Sequence, residues 1–168
     1  MLRSVAGDLV PSLAILPNEG LGSLKFGSST EEVSGYLGAP DKVYDNSHYP
    51  LALGWSYRRP SLNVAFHADD TSAGQPFRLI LFTSSDVKTT LHENRIIGRP
   101  EPEVLGFLKS HGHHSFDVVG NDGYPNSMSI NIIRARGLNI DLHFQRGLLR
   151  AVQWETPTRE FPFGYCFP

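Results

Sequence analysis

The chain has 168 residues, of which 40% are hydrophobic and 19% charged, so it is long enough to bury a substantial core and too apolar to be disordered. Its formal net charge of −2, without any cluster of Lys and Arg, excludes the electrostatic attraction that nucleic-acid binders use. The apolar stretch 9–17 is too short to span a bilayer, and its two prolines argue against a signal peptide. With Cys166 as the one cysteine, we expect a soluble, cytoplasmic protein with no membrane partner.

Residues up to about 21 are predicted to form an irregular lead-in. A motif then occurs twice without gaps, as residues 26–37 and again as residues 97–108. The two copies share a glycine at Gly27 and Gly98, a Glu-Val pair, and a second glycine at Gly35 and Gly106. Farther on, residues 62–67 resemble residues 138–143. We interpret the pattern as an internal duplication with repeats at about 22–87 and 93–155.

Each copy of the motif predicts one short helix. In the first copy, Ser28, Ser29 or Thr30 can cap a helix in which a Glu follows three residues later, and residues 38–40 end it. In the second copy, two prolines occupy the first turn and Gly112 is suited to the end. The apolar residues of each copy recur at helical spacing, as Val33, Tyr36 and Leu37 and as Val104, Phe107 and Leu108.

Apolar residues alternate with polar or small ones after each helix. This period of two predicts strands at 53–57, 62–67 and 77–83 in the first half, and at 128–134, 138–144 and 148–154 in the second. Residues 119–125 are predicted to be a loop, and 156–168 an aromatic tail. We therefore predict an α+β fold in one domain, residues 1–168, in which two copies of one helix plus a three-stranded antiparallel meander form a continuous antiparallel sheet with both helices on one face.

This tandem pattern resembles the repeat of the β-lactamase inhibitory protein and of small outer-membrane assembly lipoproteins. The resemblance lies in residues 27–40, notably Leu37-Gly38-Ala39-Pro40-Asp41, and in their echo at 98–108. The chain lacks the paired cysteines of the secreted inhibitor and the lipidated cysteine of the lipoproteins. The resemblance implies a scaffold without enzymatic activity whose open sheet face binds another protein.

Strand alternation also predicts which residues face away from the helices. If the apolar residues of 62–66 and 138–144 point toward the helices, the opposite face carries polar side chains. We predict a partner-binding site there, flanked by aromatic residues. Its members are Asn63, His67, Asn139, Asp141, His143, Tyr57 and Tyr124. A wet sheet face without a binding role is the alternative reading of the same pattern.

Catalytic and metal motifs are weak in this sequence. His111, His113 and His114 are the densest group of possible ligands, but their spacing suits no standard zinc pattern, so we predict an exposed loop, no metal and no cofactor. We predict no catalytic residues. The sequence favours an immunity or inhibitor protein that neutralises a toxin or enzyme. The alternative is a small-ligand-binding or hydrolytic domain that uses the polar and His residues of the sheet face.

Overall fold

The protein is mostly β in the computed structural model, which describes residues 11–46, 52–68, 76–121 and 130–157. Strands account for 47% and helices for 15%, so the predicted α+β class is wrong. The elements are β1 (Ala14–Leu16), β2 (Gly20–Leu21), β3 (Leu24–Lys25), α1 (Thr30–Leu37), β4 (Lys42–Asn46), β5 (Ala52–Tyr57), β6 (Leu62–His67), β7 (Arg78–Ser84), β8 (Thr90–Leu91), β9 (Asn94–Arg95), α2 (Glu101–Ser110), β10 (Phe116–Asn121), β11 (Ile130–Ala135), β12 (Ile140–Gln145) and β13 (Leu148–Glu155).

Eight strands form one antiparallel sheet, the main sheet, in the order β10-β11-β12-β13-β7-β6-β5-β4. The pairing of β13 with β7 joins the two halves of the chain. Each half contributes four strands rather than the predicted three. The strands that the sequence did not predict, β4 and β10, lie at the two edges, where Val43 is 57% and Val118 is 70% exposed. An edge strand with little burial has no need of the alternating pattern that identifies inner strands.

A second, smaller sheet has the order β3-β2-β1-β8-β9 and includes one parallel pair, β1 with β8. It contains residues predicted to be an irregular lead-in, because strands of two or three residues are too short to show a period. Leu21, Leu24 and Leu91 of this sheet share one buried cluster with Val64 and Leu142 of the main sheet. The prediction that the helices alone cover one face of the main sheet is therefore wrong. The helices share that face with the small sheet.

Trp154 connects the two sheets. Its indole N–H donates to the carbonyl oxygen of Gly20 at 2.9 Å, and its ring stacks on Phe82 with 5.0 Å between centroids. Trp154 and Phe82 are both fully buried. Pairing of the indole N–H allows this large side chain to occupy the core without an unsatisfied polar group.

Helix α1 begins as its sequence predicts, whereas Pro100, expected in the first turn of α2, lies just before that helix. Ser29 caps α1: its hydroxyl accepts from the Glu32 N–H, and the Glu32 carboxylate accepts from the Ser29 N–H at 2.7 Å. Pro100 precedes α2 without a side-chain cap. Val33 in α1, and Val104 and Leu108 in α2, are the buried helical residues.

Equivalent hydrogen bonds recur in the two halves. The N–H of Gly27 donates to Leu79 O, and that of Gly98 to Leu149 O, both at 2.8 Å. A β-bulge follows in each half, where Phe66 pairs with Leu79 and Phe144 with Leu149. Phe66 thus corresponds in the structure to Phe144. The alignment of residues 62–67 with residues 138–143 pairs Phe66 with Leu142 instead, a difference of two residues. A shift of two residues leaves every side chain on the same face of the sheet.

Candidate functional site

The face of the main sheet that lies opposite the helices carries a continuous row of side chains, which we call the polar row. In β6 and β12 the inward residues, such as Val64 and Leu142, are fully buried in the core, and the residues between them belong to this opposite face. Strand pairing places one residue of each strand side by side. In sheet order the polar row is Asp117, Arg134, Asp141, Gln153, Thr83, Asn63, Ser56 and Lys42.

The polar row exists because the register is unbroken across all eight strands at this level. Residues directly opposite each other in an antiparallel pair have Cβ atoms about 4.5–5.5 Å apart, so neighbours in the row are within contact distance. Each half contributes four members, and the junction lies between Gln153 and Thr83. The Thr83 hydroxyl donates to Gln153 Oε1 at 3.4 Å there.

The second half of the polar row is charged and internally paired. Arg134 donates from Nε and Nη2 to the two carboxylate oxygens of Asp141, each at 2.7 Å. Its Nη2 is also 3.9 Å from Glu155 Oε1, and Arg136 pairs with Asp117. The Asp141 side chain is 12% exposed and that of Arg134 is 41% exposed. The bidentate pair thus holds the guanidinium in one orientation while leaving part of it accessible.

The ionisation of these groups is shifted by their surroundings. The hydrogen bonds to Asp141 raise the pKa of Arg134, which is therefore charged at any physiological pH. Burial raises the pKa of Glu155, and the neighbouring Asp141 carboxylate adds to the effect while Arg134 opposes it. The carboxylates of Asp141 and Glu155 both lie beside the one guanidinium of Arg134, so the charges of these three groups do not cancel.

The first half of the same face is apolar beside the polar row. Ala65, Ile80 and Leu81 form a separate buried cluster there. Ile80 is the extra residue of the bulge between β6 and β7. The equivalent bulge of the second half places Arg150 at that position, and Arg150 is exposed. The two halves therefore differ in chemistry on this face: the residues near β7 are apolar and buried, whereas those near β11 and β12 are charged.

Four of the predicted site residues lie together on this face. Asn63 and Asp141 belong to the polar row, and His67 and His143 are half-buried in the same two strands. Asp141 differs from the expectation of an exposed residue, since it is buried in the ion pair with Arg134.

The other three predicted residues are not on this face. Asn139 lies in the turn before β12 with φ of 52°, and its amide donates to Asn18 Oδ1 at 2.7 Å. Tyr57 belongs to the core, where its hydroxyl donates to Gly38 O at 3.3 Å and burial raises its pKa to about 12. Tyr124 lies outside the described residues, as does the aromatic tail from residue 158 onward.

Six members of the polar row were not predicted from the sequence: Asp117, Arg134, Gln153, Thr83, Ser56 and Lys42. Arg134 stands between the buried residues Ile133 and Ala135, so the alternation that identified Asn63 and Asp141 also marks it. The contact between Arg134 and Asp141 depends on the register of β11 with β12, which the sequence pattern does not specify.

The surface can offer another molecule both oriented charges and neutral hydrogen-bonding groups. Over the described ranges, no group of three or more His, Cys, Asp or Glu side chains is arranged to hold a metal ion. Neither of the described helices combines the length and apolar character needed to cross a membrane. No protein-family model matches the chain, and no curated protein matches its sequence.

Proposed function

We propose that the protein is a non-enzymatic protein-binding module, most specifically an immunity or inhibitor protein that binds a toxin or enzyme through the polar row. The proposal is supported by the unbroken strand register, which places one polar residue of each of the eight strands side by side. We further propose that it acts in the cytoplasm, in keeping with a single cysteine in the whole sequence.

The dimensions of this face suit a protein partner. Eight strands spaced about 4.8 Å apart span roughly 34 Å, and strands of about six residues are roughly 20 Å long. Their product, roughly 700 Å², is the full extent of the face and compares with about 800 Å² per partner in a specific complex. The area open to a partner is smaller, because Ala65, Ile80, Leu81 and Gln153 are buried. A small ligand would contact only a fraction of such a surface.

Arg134 is the residue that we expect to contribute most to binding. Arginine is enriched among residues that dominate binding energy, and the bidentate contact with Asp141 limits the side-chain entropy lost on association. Because Asp141 and Glu155 both lie beside the Arg134 guanidinium, negative charge is in excess around it, which favours a partner with basic side chains next to hydrogen-bond acceptors.

The test is an exchange of charges that keeps the ion pair. Arg134→Asp combined with Asp141→Arg places both charges on the opposite strands, so the fold retains an attractive pair while the surface pattern is reversed. The control is Arg99→Glu combined with Glu103→Arg, which exchanges the 3.1 Å pair between the residue before the α2 cap and the first turn of α2, on the other side of the sheet. Urea unfolding should show the control within about 1 kcal/mol of the wild type, as expected for a partly exposed pair. The exchange on the sheet should cost more, because position 141 is buried, and it is usable if the variant still unfolds cooperatively.

Tagged wild type and both variants are then used to isolate partners from the native host, with quantitative mass spectrometry and calorimetry on the purified partner. We expect one stoichiometric partner whose activity the wild type inhibits, with binding weakened at least about tenfold by the exchange on the sheet and unchanged by the exchange on α2. Equal binding by all three proteins would refute the assignment of the surface. Turnover of a small substrate that is lost on replacing His67 and His143 would instead support a hydrolytic domain.

A further inference from the structure

Three histidine rings meet on the opposite side of the molecule from the polar row, and we call them the histidine cluster: His92, His111 and His113. His92 lies in the turn between β8 and β9 with φ of 46°. His111 is the residue at the C-terminal end of α2, and His113 is in the loop that follows. The cluster thus joins the small sheet to the end of a helix.

The rings are arranged for contact with one another. The rings of His92 and His111 are stacked, with 4.7 Å between centroids and 7° between planes. His92 Nε2 and His113 Nε2 are 3.3 Å apart, in rings inclined by 12°. Their centroids are 5.5 Å apart, which exceeds the Nε2 to Nε2 distance by about two ring radii, so the rings meet end to end. That is the geometry of an N–H···N hydrogen bond.

Such a hydrogen bond requires one nitrogen without a proton. A neutral imidazole donates from one nitrogen and accepts at the other, whereas a protonated imidazole only donates. The His92–His113 contact therefore survives with at most one of the two rings protonated. When both are protonated, two N–H groups and two positive charges face each other, and the contact becomes repulsive.

His111 limits the charge on the cluster from the other side. Its Nδ1 is 2.9 Å from the carbonyl oxygen of Phe107, so this nitrogen donates. A charged His111 stacked on His92 disfavours a second charge on the His92 ring.

The pKa of His92 is lowered accordingly, first by burial and then by the charges of His111 and His113. The surrounding elements also carry Glu93 and Arg95 on the hairpin, Lys109 in the last turn of α2 and His114 in the loop. All four of these groups are exposed.

We propose that the histidine cluster is a proton-operated contact that joins the β8–β9 hairpin to the C-terminal end of α2 at neutral pH and separates on acidification. A histidine whose pKa is lowered by folding binds fewer protons than in the unfolded chain. The contribution of the contact to stability is therefore present above the ordinary histidine pKa and is lost as the pH falls below it.

The experiment is an NMR titration of the histidine rings from pH 8 to pH 5, with backbone amide shifts recorded for residues 90–95 and 107–111. We expect the His92 midpoint to lie below the ordinary histidine value, and His111→Asn or His113→Asn to raise it toward that value. The amide shifts should follow the His92 midpoint in the wild type. They should lose this dependence in His92→Asn, a replacement that tolerates the positive φ.

His114→Asn is the matched control and should leave the His92 midpoint unchanged. A His92 midpoint at the ordinary histidine value, or one that neither neighbouring substitution alters, would refute the proposal. Stoichiometric Zn²⁺ that shifts the rings of the cluster at neutral pH would also overturn it, since the rings would then be metal ligands. If His92→Asn fails to fold, His113→Asn provides the same amide comparison.

Discussion

Replacing Trp154 by Phe tests the contact between the two sheets. The variant keeps an aromatic ring to stack on Phe82 but removes the indole N–H that donates to Gly20 O in a buried position. A buried acceptor left without its donor costs about 1–3 kcal/mol. The smaller ring adds a cavity cost of roughly 1 kcal/mol. We therefore expect a loss of about 2–4 kcal/mol of unfolding free energy.

Trp55→Phe is the matched control, since Trp55 is half-buried and contacts Phe66 edge to face at 4.8 Å. We expect this variant to lose about 1 kcal/mol. The assay is urea unfolding followed by circular dichroism, with thermal unfolding as a second measure. At about 2–4 °C per kcal/mol, the Trp154 variant should melt about 4–16 °C below the wild type. A cost for Trp154→Phe no larger than that for Trp55→Phe would refute the role of Trp154 in joining the sheets.

Three further predictions can be checked by the same unfolding assay. Ser29→Ala removes the hydroxyl that accepts from the Glu32 N–H, while the backbone N–H that donates to the Glu32 carboxylate remains, and should cost about 1 kcal/mol, whereas Ser28→Ala should cost much less; equal effects would contradict the cap assignment. Gly35→Ala and Gly106→Ala add a methyl group in mid-helix where nothing lies within 4 Å, so each should stabilise by about 1 kcal/mol, and a loss of stability would show that these positions are more crowded than described. Folding raises the pKa of Glu155, so the folded state holds the proton more tightly and stability falls as the pH rises above the ordinary Glu value. The difference in stability between Glu155→Gln and the wild type should therefore move in favour of the variant between pH 4 and pH 7, and a difference that does not change with pH would contradict the shift.

Local and periodic features of this protein could be predicted from its sequence. The α1 cap is read from Ser29 and Glu32 because both partners lie within one turn of the chain. The inward residues of β6 and β12 are predicted by their alternation, because each inner strand must place apolar residues on the core side whatever its neighbours are. Gly112, with φ of 86°, follows α2 as its residue type predicts.

Only the tertiary structure decided which residues meet across the chain. Alternation places Asp141 on one face but does not identify Arg134 as its partner, because that contact depends on the register of two strands. The same pattern suggested that Asn139 was available for binding, whereas a turn commits it to Asn18, more than a hundred residues earlier. The edge strands β4 and β10 and the short strands of the small sheet were missed because partial burial and short length leave no period to read. His92 joins His111 through the packing of a hairpin against a helix end, and no spacing in the sequence records that contact.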